Sequence, residues 1–155
     1  MVLTQKESML LNDLKTQEQT CIEKYERYAA DACDRRLGTL FWDLSQVERG
    51  HLSKINAILA GKDVTGSAES PSVPNEDFKD NPTYTAMSEG EDKNTDSYLC
   101  QDALQMEKHV SSIYDTVIFE CTTQELRDLL AEIQRDEQNH GKRIYDYMSA
   151  NGMYS

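Results

Sequence analysis

The chain has 155 residues, 38% of them hydrophobic, and 28 acidic against 16 basic side chains give it a formal net charge of −12. That length suits one domain, residues 1–155, with a real core. The charge argues against nucleic acid or an anionic membrane surface as partner, since both need basic patches, and is compatible with attracting cations or simply with a solvated surface.

No stretch approaches ~18 consecutive apolar residues, so no transmembrane helix is expected. The opening Met-Val-Leu-Thr-Gln-Lys-Glu lacks the charged-then-apolar layout of a secretory signal, so cytoplasmic synthesis is expected. The cysteines, Cys21, Cys33, Cys100 and Cys121, form no Cys-x-x-Cys pair and lie in helical patterns, where a reduced thiol behaves as a small hydrophobe.

Thr4-Gln-Lys-Glu7 is a capping-box pattern that opens a helix running to about Ala32, with the stripe Leu10, Leu14, Glu18, Ile22, Tyr25, Ala29. A second helix begins near Asp34 and carries Leu37, Phe41, Leu44, Glu48, His51, Ile55 and Leu59, with Gly61 placed to end it. Together they make a hairpin over 4–61. Residues 62–95 differ in character: they hold Pro71, Pro74 and Pro82, many Ser, Asp and Asn, and little apolar periodicity. So long a connection needs a reason inside a compact domain, and a crossover along a four-helix bundle supplies one. A helix of ~28 residues is roughly 42 Å long, which this segment can span.

The third helix is expected from about Asp96 to Cys121, with Leu99, Ala103, Glu107, Val110, Tyr114 and Val117 on one face. Thr122-Thr-Gln-Glu125 reads as a second capping box, opening a helix with Leu126, Leu130, Ile133, Glu137, His140, Ile144 and Met148 inward and Gly152 as its stop. These make a second hairpin over 96–150. The expected fold is all-α: a four-helix bundle, up-down-down-up.

The two hairpins repeat each other. Glu18, Glu48 and His51 recur 89 positions later as Glu107, Glu137 and His140, and the same offset aligns Leu10 with Leu99, Tyr25 with Tyr114 and Leu37 with Leu126. Each half therefore carries a glutamate, then Glu-x-x-His one helix later, on stripe positions where Leu or Val would be ordinary. An ionised carboxylate buried without a partner is very costly, so four of them demand compensation. Two divalent cations bring four positive charges against four carboxylates. Glu-x-x-His suits this because residues three apart share a helix face and can reach one centre. The candidate metal ligands are Glu18, Glu48, His51, Glu107, Glu137 and His140.

Tyr25 and Tyr114 each follow the first glutamate of their half by seven residues. They read either as phenols beside the metals, with a catalytic part to play, or as core residues with a satisfied hydroxyl. Asp136 reads as an acceptor that orients a ligand histidine or as a solvated carboxylate; its repeat mate is Val47, so the pattern leans to the second. His109 lies off the face of Glu107 and reads as a surface residue. Trp42 is expected at a helix interface.

Glu18, Glu48-Arg-Gly-His51, Glu107, Glu137-Gln-Asn-His140 and Tyr25 together resemble the ferritin-like superfamily of dinuclear carboxylate proteins, which includes bacterioferritin, rubrerythrin and manganese catalase. The resemblance implies two iron or two manganese ions, with Glu48 and Glu137 bridging, Glu18 and Glu107 terminal, and one histidine on each ion. The chain has no rubredoxin-like Cys-x-x-Cys relay and ends a few residues beyond Gly152, where ferritin cages usually add a fifth helix. Ser97 to Tyr154 is also similar to the Coat F family of spore coat proteins. Glu107-Lys-His-Val-Ser-Ser-Ile-Tyr114, Asp136-Glu-Gln-Asn-His140, Ile144-Tyr-Asp-Tyr-Met148 and Gly152-Met-Tyr154 carry that similarity.

Three functions follow from these resemblances. One is an oxidoreductase (peroxidase, catalase or ferroxidase type) acting on oxygen or hydrogen peroxide. Another is a structural spore coat component whose metals staple the fold and whose partners are other coat proteins. The third is iron oxidation and storage. Peroxide disproportionation by manganese needs no external electron donor, which fits the missing relay. A homodimer is expected, since twofold dimers are the commonest assembly.

Overall fold

The structure, a computed structural model, describes residues 1–64 and 71–154; residues 65–70 of the expected crossover lie outside the described residues. The described residues form four helices and no strand: α1 (Gln5–Asp31), α2 (Arg35–Leu59), α3 (Glu91–Glu120) and α4 (Gln124–Ala150).

The stripes read from the sequence are the faces that bury. In α2, Leu37, Phe41, Leu44, Glu48, His51 and Ile55 are all buried; in α4, Leu126 to Met148 bury at the expected three- and four-residue steps. In α1 the apolar face is wider than expected: Leu11, Cys21 and Tyr28 join it, while Leu10 is only partly buried. The helices pack α1 on α2 and α3 on α4, with further contact between α1 and α3 and between α2 and α4.

Local signals set the ends. Thr4 caps α1 as a full box: its Oγ1 accepts from Glu7 N at 3.1 Å, and Glu7 Oε2 accepts from Thr4 N at 2.8 Å. Glu7 also turns its Oε1 to the α3–α4 connection, accepting from Thr122 N at 2.8 Å and Thr122 Oγ1 at 2.7 Å. Those hydrogen bonds, Thr122's backbone foremost, hold the Glu7 carboxyl down at about 2. Thr122 is thereby spent, and Thr123 caps α4 instead, accepting from Leu126 N at 3.3 Å. The capping box expected at Thr122 is corrected accordingly. α3 begins at Glu91, one full turn earlier than Asp96, after Gly90.

Asp96 instead holds the bundle end together. Its carboxylate accepts from Cys33 N at 2.7 Å and Asp34 N at 2.9 Å in the α1–α2 turn, and from Tyr84 Oη of the α2–α3 connection at 2.7 Å. Asn151 Oδ1, just past α4, accepts from Thr83 N and Tyr84 N at 2.8 and 2.9 Å. Val64 and Phe78 bury into the core, Phe78 edge-on to Tyr147 at 5.1 Å, so this segment is anchored at both ends despite its composition. Trp42, expected at a helix interface, is 51% exposed. No described helix is long and apolar enough to cross a membrane.

Candidate metal centre

Each helix delivers its glutamate to one place. Glu18 comes from α1, Glu48 and His51 from α2, Glu107 from α3, Glu137 and His140 from α4, and all six are buried. They divide into two groups that could each hold a metal ion: Glu18, Glu48, His51 and Glu137, and Glu48, Glu107, Glu137 and His140. Within each group the ligand atoms all lie within 4.8 Å of one another. Glu48 and Glu137 belong to both, and the remaining four divide evenly, one glutamate and one histidine to each.

Both histidines aim Nδ1 inward. His51 Nδ1 lies 3.1 Å from Glu137 Oε1 and 3.5 Å from Glu48 Oε2; His140 Nδ1 lies 2.9 Å from Glu48 Oε1 and 3.3 Å from Glu107 Oε1. The two rings stack at 6.0 Å with 17° between their planes. The tyrosines cross between hairpins: Tyr25 Oη donates to Glu107, and Tyr114 Oη donates to Glu18. Asp136 Oδ2 sits 2.8 Å from His51 Nε2. The solvated-carboxylate reading of Asp136 is therefore incomplete: it is half-exposed but bonded to a candidate ligand. His109 is exposed, away from the group.

The electrostatics are those of carboxylates crowded out of water. Burial, then the Glu48 charge, raises the Glu18 carboxyl well above its usual range; burial, then Glu107 and Glu48, does the same to Glu137. For Glu48 burial acts upward as well, but the Glu18 carboxyl and the two histidines crowded against it outweigh burial and hold its carboxyl well below that range. Burial alone would lower His140, yet attraction to Glu107 and Glu48 pushes it up to about 10, and the bond to Asp136 raises His51. Protons thus perform the charge balancing that two dications could perform.

They perform it incompletely. Among the described residues, Glu18 Oε2, both oxygens of Glu48, Glu107 Oε2 and Glu137 Oε2 are buried without a hydrogen-bond partner. A buried polar atom left without a partner costs about 1–3 kcal/mol, so five in one cluster mark a site built for something other than side chains. Carboxylate and imidazole donors suit iron or manganese, and softer metals would favour thiolate. Cys21 lies close enough to feel the Glu48 charge, but burial holds its thiol far above its ordinary range, which leaves it a small hydrophobe.

Sequence reasoning missed Glu7 and Asp96 as fold-closing carboxylates, since neither breaks its local pattern. Residues 95–155 match the Coat F domain family, and this stretch contains α4, most of α3 and the ligand candidates Glu107, Glu137 and His140. No curated protein and no solved structure matches the chain.

Proposed function

We propose that the chain is a dinuclear metalloprotein of ferritin-like type that reacts with oxygen or hydrogen peroxide. The observation carrying this reading is the pair of four-residue groups sharing Glu48 and Glu137, in a core where five carboxylate oxygens have no hydrogen-bond partner among the described residues. In this reading Glu48 and Glu137 bridge, Glu18 and His51 complete one position, and Glu107 and His140 complete the other. The contacts between helices support an up-down-down-up bundle in one domain: Tyr25 meets Glu107 where Glu18 meets Tyr114, so α1 and α3 run oppositely, and the connection that ends before Glu91 would then be the crossover between parallel α2 and α3.

Two iron or manganese ions held here would supply a reversible change of oxidation state, which no side chain in the core offers. The protein's own groups do the rest. With a metal bound, Asp136 would accept the His51 Nε2 proton and so leave Nδ1 free to donate a lone pair. The Tyr25 and Tyr114 hydroxyls fix one oxygen of each terminal glutamate and hold a proton within reach of it, leaving the other oxygen for the metal. Burial pushes both phenols well above their ordinary range, so these protons stay on at neutral pH. Phe41 and Leu44, with no exposed surface, exclude bulk water from the site's α2 side.

A second reading, a structural spore coat component whose metals staple the bundle, is favoured by the Coat F match over residues 95–155. Turnover separates the two. The redox reading expects repeated oxygen evolution from peroxide, or repeated oxidation of ferrous iron, lost when His51→Ala and His140→Ala are combined while the far-ultraviolet spectrum stays helical. Bound metal with no turnover, and a melting temperature that falls on chelation, would leave the structural reading.

A further inference from the structure

The six candidate ligands repeat between the two halves, but their surroundings do not. Glu18, Glu48 and His51 are 0% exposed, whereas Glu107, Glu137 and His140 retain 2%, 1% and 3%. These remnants are small, yet two cavities end on them. One, of about 960 Å³, has both Val47 of α2 and His140 of α4 in its wall. The other, of about 610 Å³, lies between α3 and α4 with Glu107 and Glu137 in its wall. Neither touches Glu18, Glu48 or His51.

The outer edges of the two histidines differ in the same sense. His51 Nε2 is held at 2.8 Å by Asp136 Oδ2 from the facing helix. In the repeat the residue corresponding to Asp136 is Val47, 89 positions earlier, and valine offers His140 no acceptor. His51 is buried and locked by Asp136, which itself lines the first cavity, whereas His140 stands in that cavity's wall beside the apolar Val47.

We infer that the two metal positions are unequal: the Glu107–His140 position is the open one, where metal exchanges and a small exogenous ligand binds, and the Glu18–His51 position is a closed, structural one. This rests on the dinuclear reading above. A ligand histidine without an outer acceptor is freer to rotate and a weaker donor, and such acceptors are worth about 10- to 100-fold in metal affinity. The cavities give the same position a route to solvent.

The test is the release of metal from the full chain loaded anaerobically with manganous ion, on challenge with excess EDTA, followed by elemental analysis of the retained protein. Two phases of equal amplitude are expected. His140→Ala should retain a single, slowly released ion. Asp136→Asn should accelerate the slow phase about 10- to 100-fold and leave the fast phase in place. Val47→Asp, which restores the missing acceptor, should slow the fast phase about tenfold. Should Val47→Asp fail to fold, the first two variants still decide. Two ions leaving in one phase, or Asp136→Asn accelerating only the fast phase, overturns the inequality alone. A chain that never loads metal overturns the dinuclear reading instead.

Discussion

Replacing Glu18 with Met and Tyr114 with Phe together should stabilise the metal-free protein and weaken its response to metal. Glu18 is fully buried, its Oε1 accepts from the Tyr114 hydroxyl, and its Oε2 has no partner among the described residues. Changing Glu18 alone would strand the phenol, so both partners are removed at once, which leaves apolar groups of similar volume. An orphaned buried oxygen costs about 1–3 kcal/mol, and replacing both members of a polar pair with matched apolar groups is neutral or favourable. For a domain of this size that is a rise of about 2–12 °C in Tm. With metal the sign turns. Free metal at about 100 times Kd stabilises by about 2.7 kcal/mol per site, and the variant forgoes one terminal ligand, so its metal-induced rise should fall short of the parent's by up to about 10 °C. Circular-dichroism melts after exhaustive chelation and after anaerobic addition of manganous ion measure both. A metal-free variant that melts lower, with an undiminished response to metal, would refute the claim that these carboxylates are strained for want of a cation.

Three further outcomes follow from the same structure. Glu7→Gln should cost about 1–3 kcal/mol, since its carboxylate accepts three hydrogen bonds, one from its own N-cap Thr4 and two joining α1 to the α3–α4 connection. Because the Glu7 carboxyl is held at about 2 against an ordinary 4.5, its contribution is fully present above pH 4.5 and lost as pH falls through 2. The variant's urea midpoint should therefore fall less steeply than the parent's across that window, and parallel curves would contradict this. Gly152→Ala should destabilise far more than Gly61→Ala: both have positive φ, but a Cβ at 152 would lie 2.5 Å from Ala86 Cα, while one at 61 meets nothing within 4 Å. Equal urea midpoints would mean that the segment around Ala86 does not dock on the end of α4. Tyr25→Phe should keep the metal stoichiometry while weakening affinity about tenfold, as read by competition with a chromophoric chelator; loss of an ion would make Tyr25 more than an orienting donor.

The helices and the buried cluster of glutamates and histidines were legible because both are periodic. Amphipathic stripes fix which faces bury, and a glutamate standing where leucine belongs is visible in a single sequence; its recurrence at the same offset with Glu-x-x-His made the site readable. What stayed hidden depends on partners far apart in the chain. Glu7 is a good capping residue whether or not it also reaches Thr122, so the displacement of the α4 cap by one residue left no local trace. Asp96 looks like a helix-opening residue, and its true partners are the Cys33 and Asp34 amides and the Tyr84 hydroxyl. Asp136 was ambiguous because the repeat predicts an equivalent and finds Val47; that broken symmetry now carries the distinction between the two positions. Trp42 shows the limit of residue type as a guide, since a large aromatic on a buried helix still lies half-exposed.

The most direct test of the central claim is metal content by elemental analysis, on protein purified without chelator from cells supplied with both iron and manganese. The account predicts roughly two ions per chain, the element found separating iron-based from manganese-based chemistry. Below about a tenth of an ion per chain, unchanged after anaerobic loading with ferrous or manganous ion, the six buried residues would be no metal site at all.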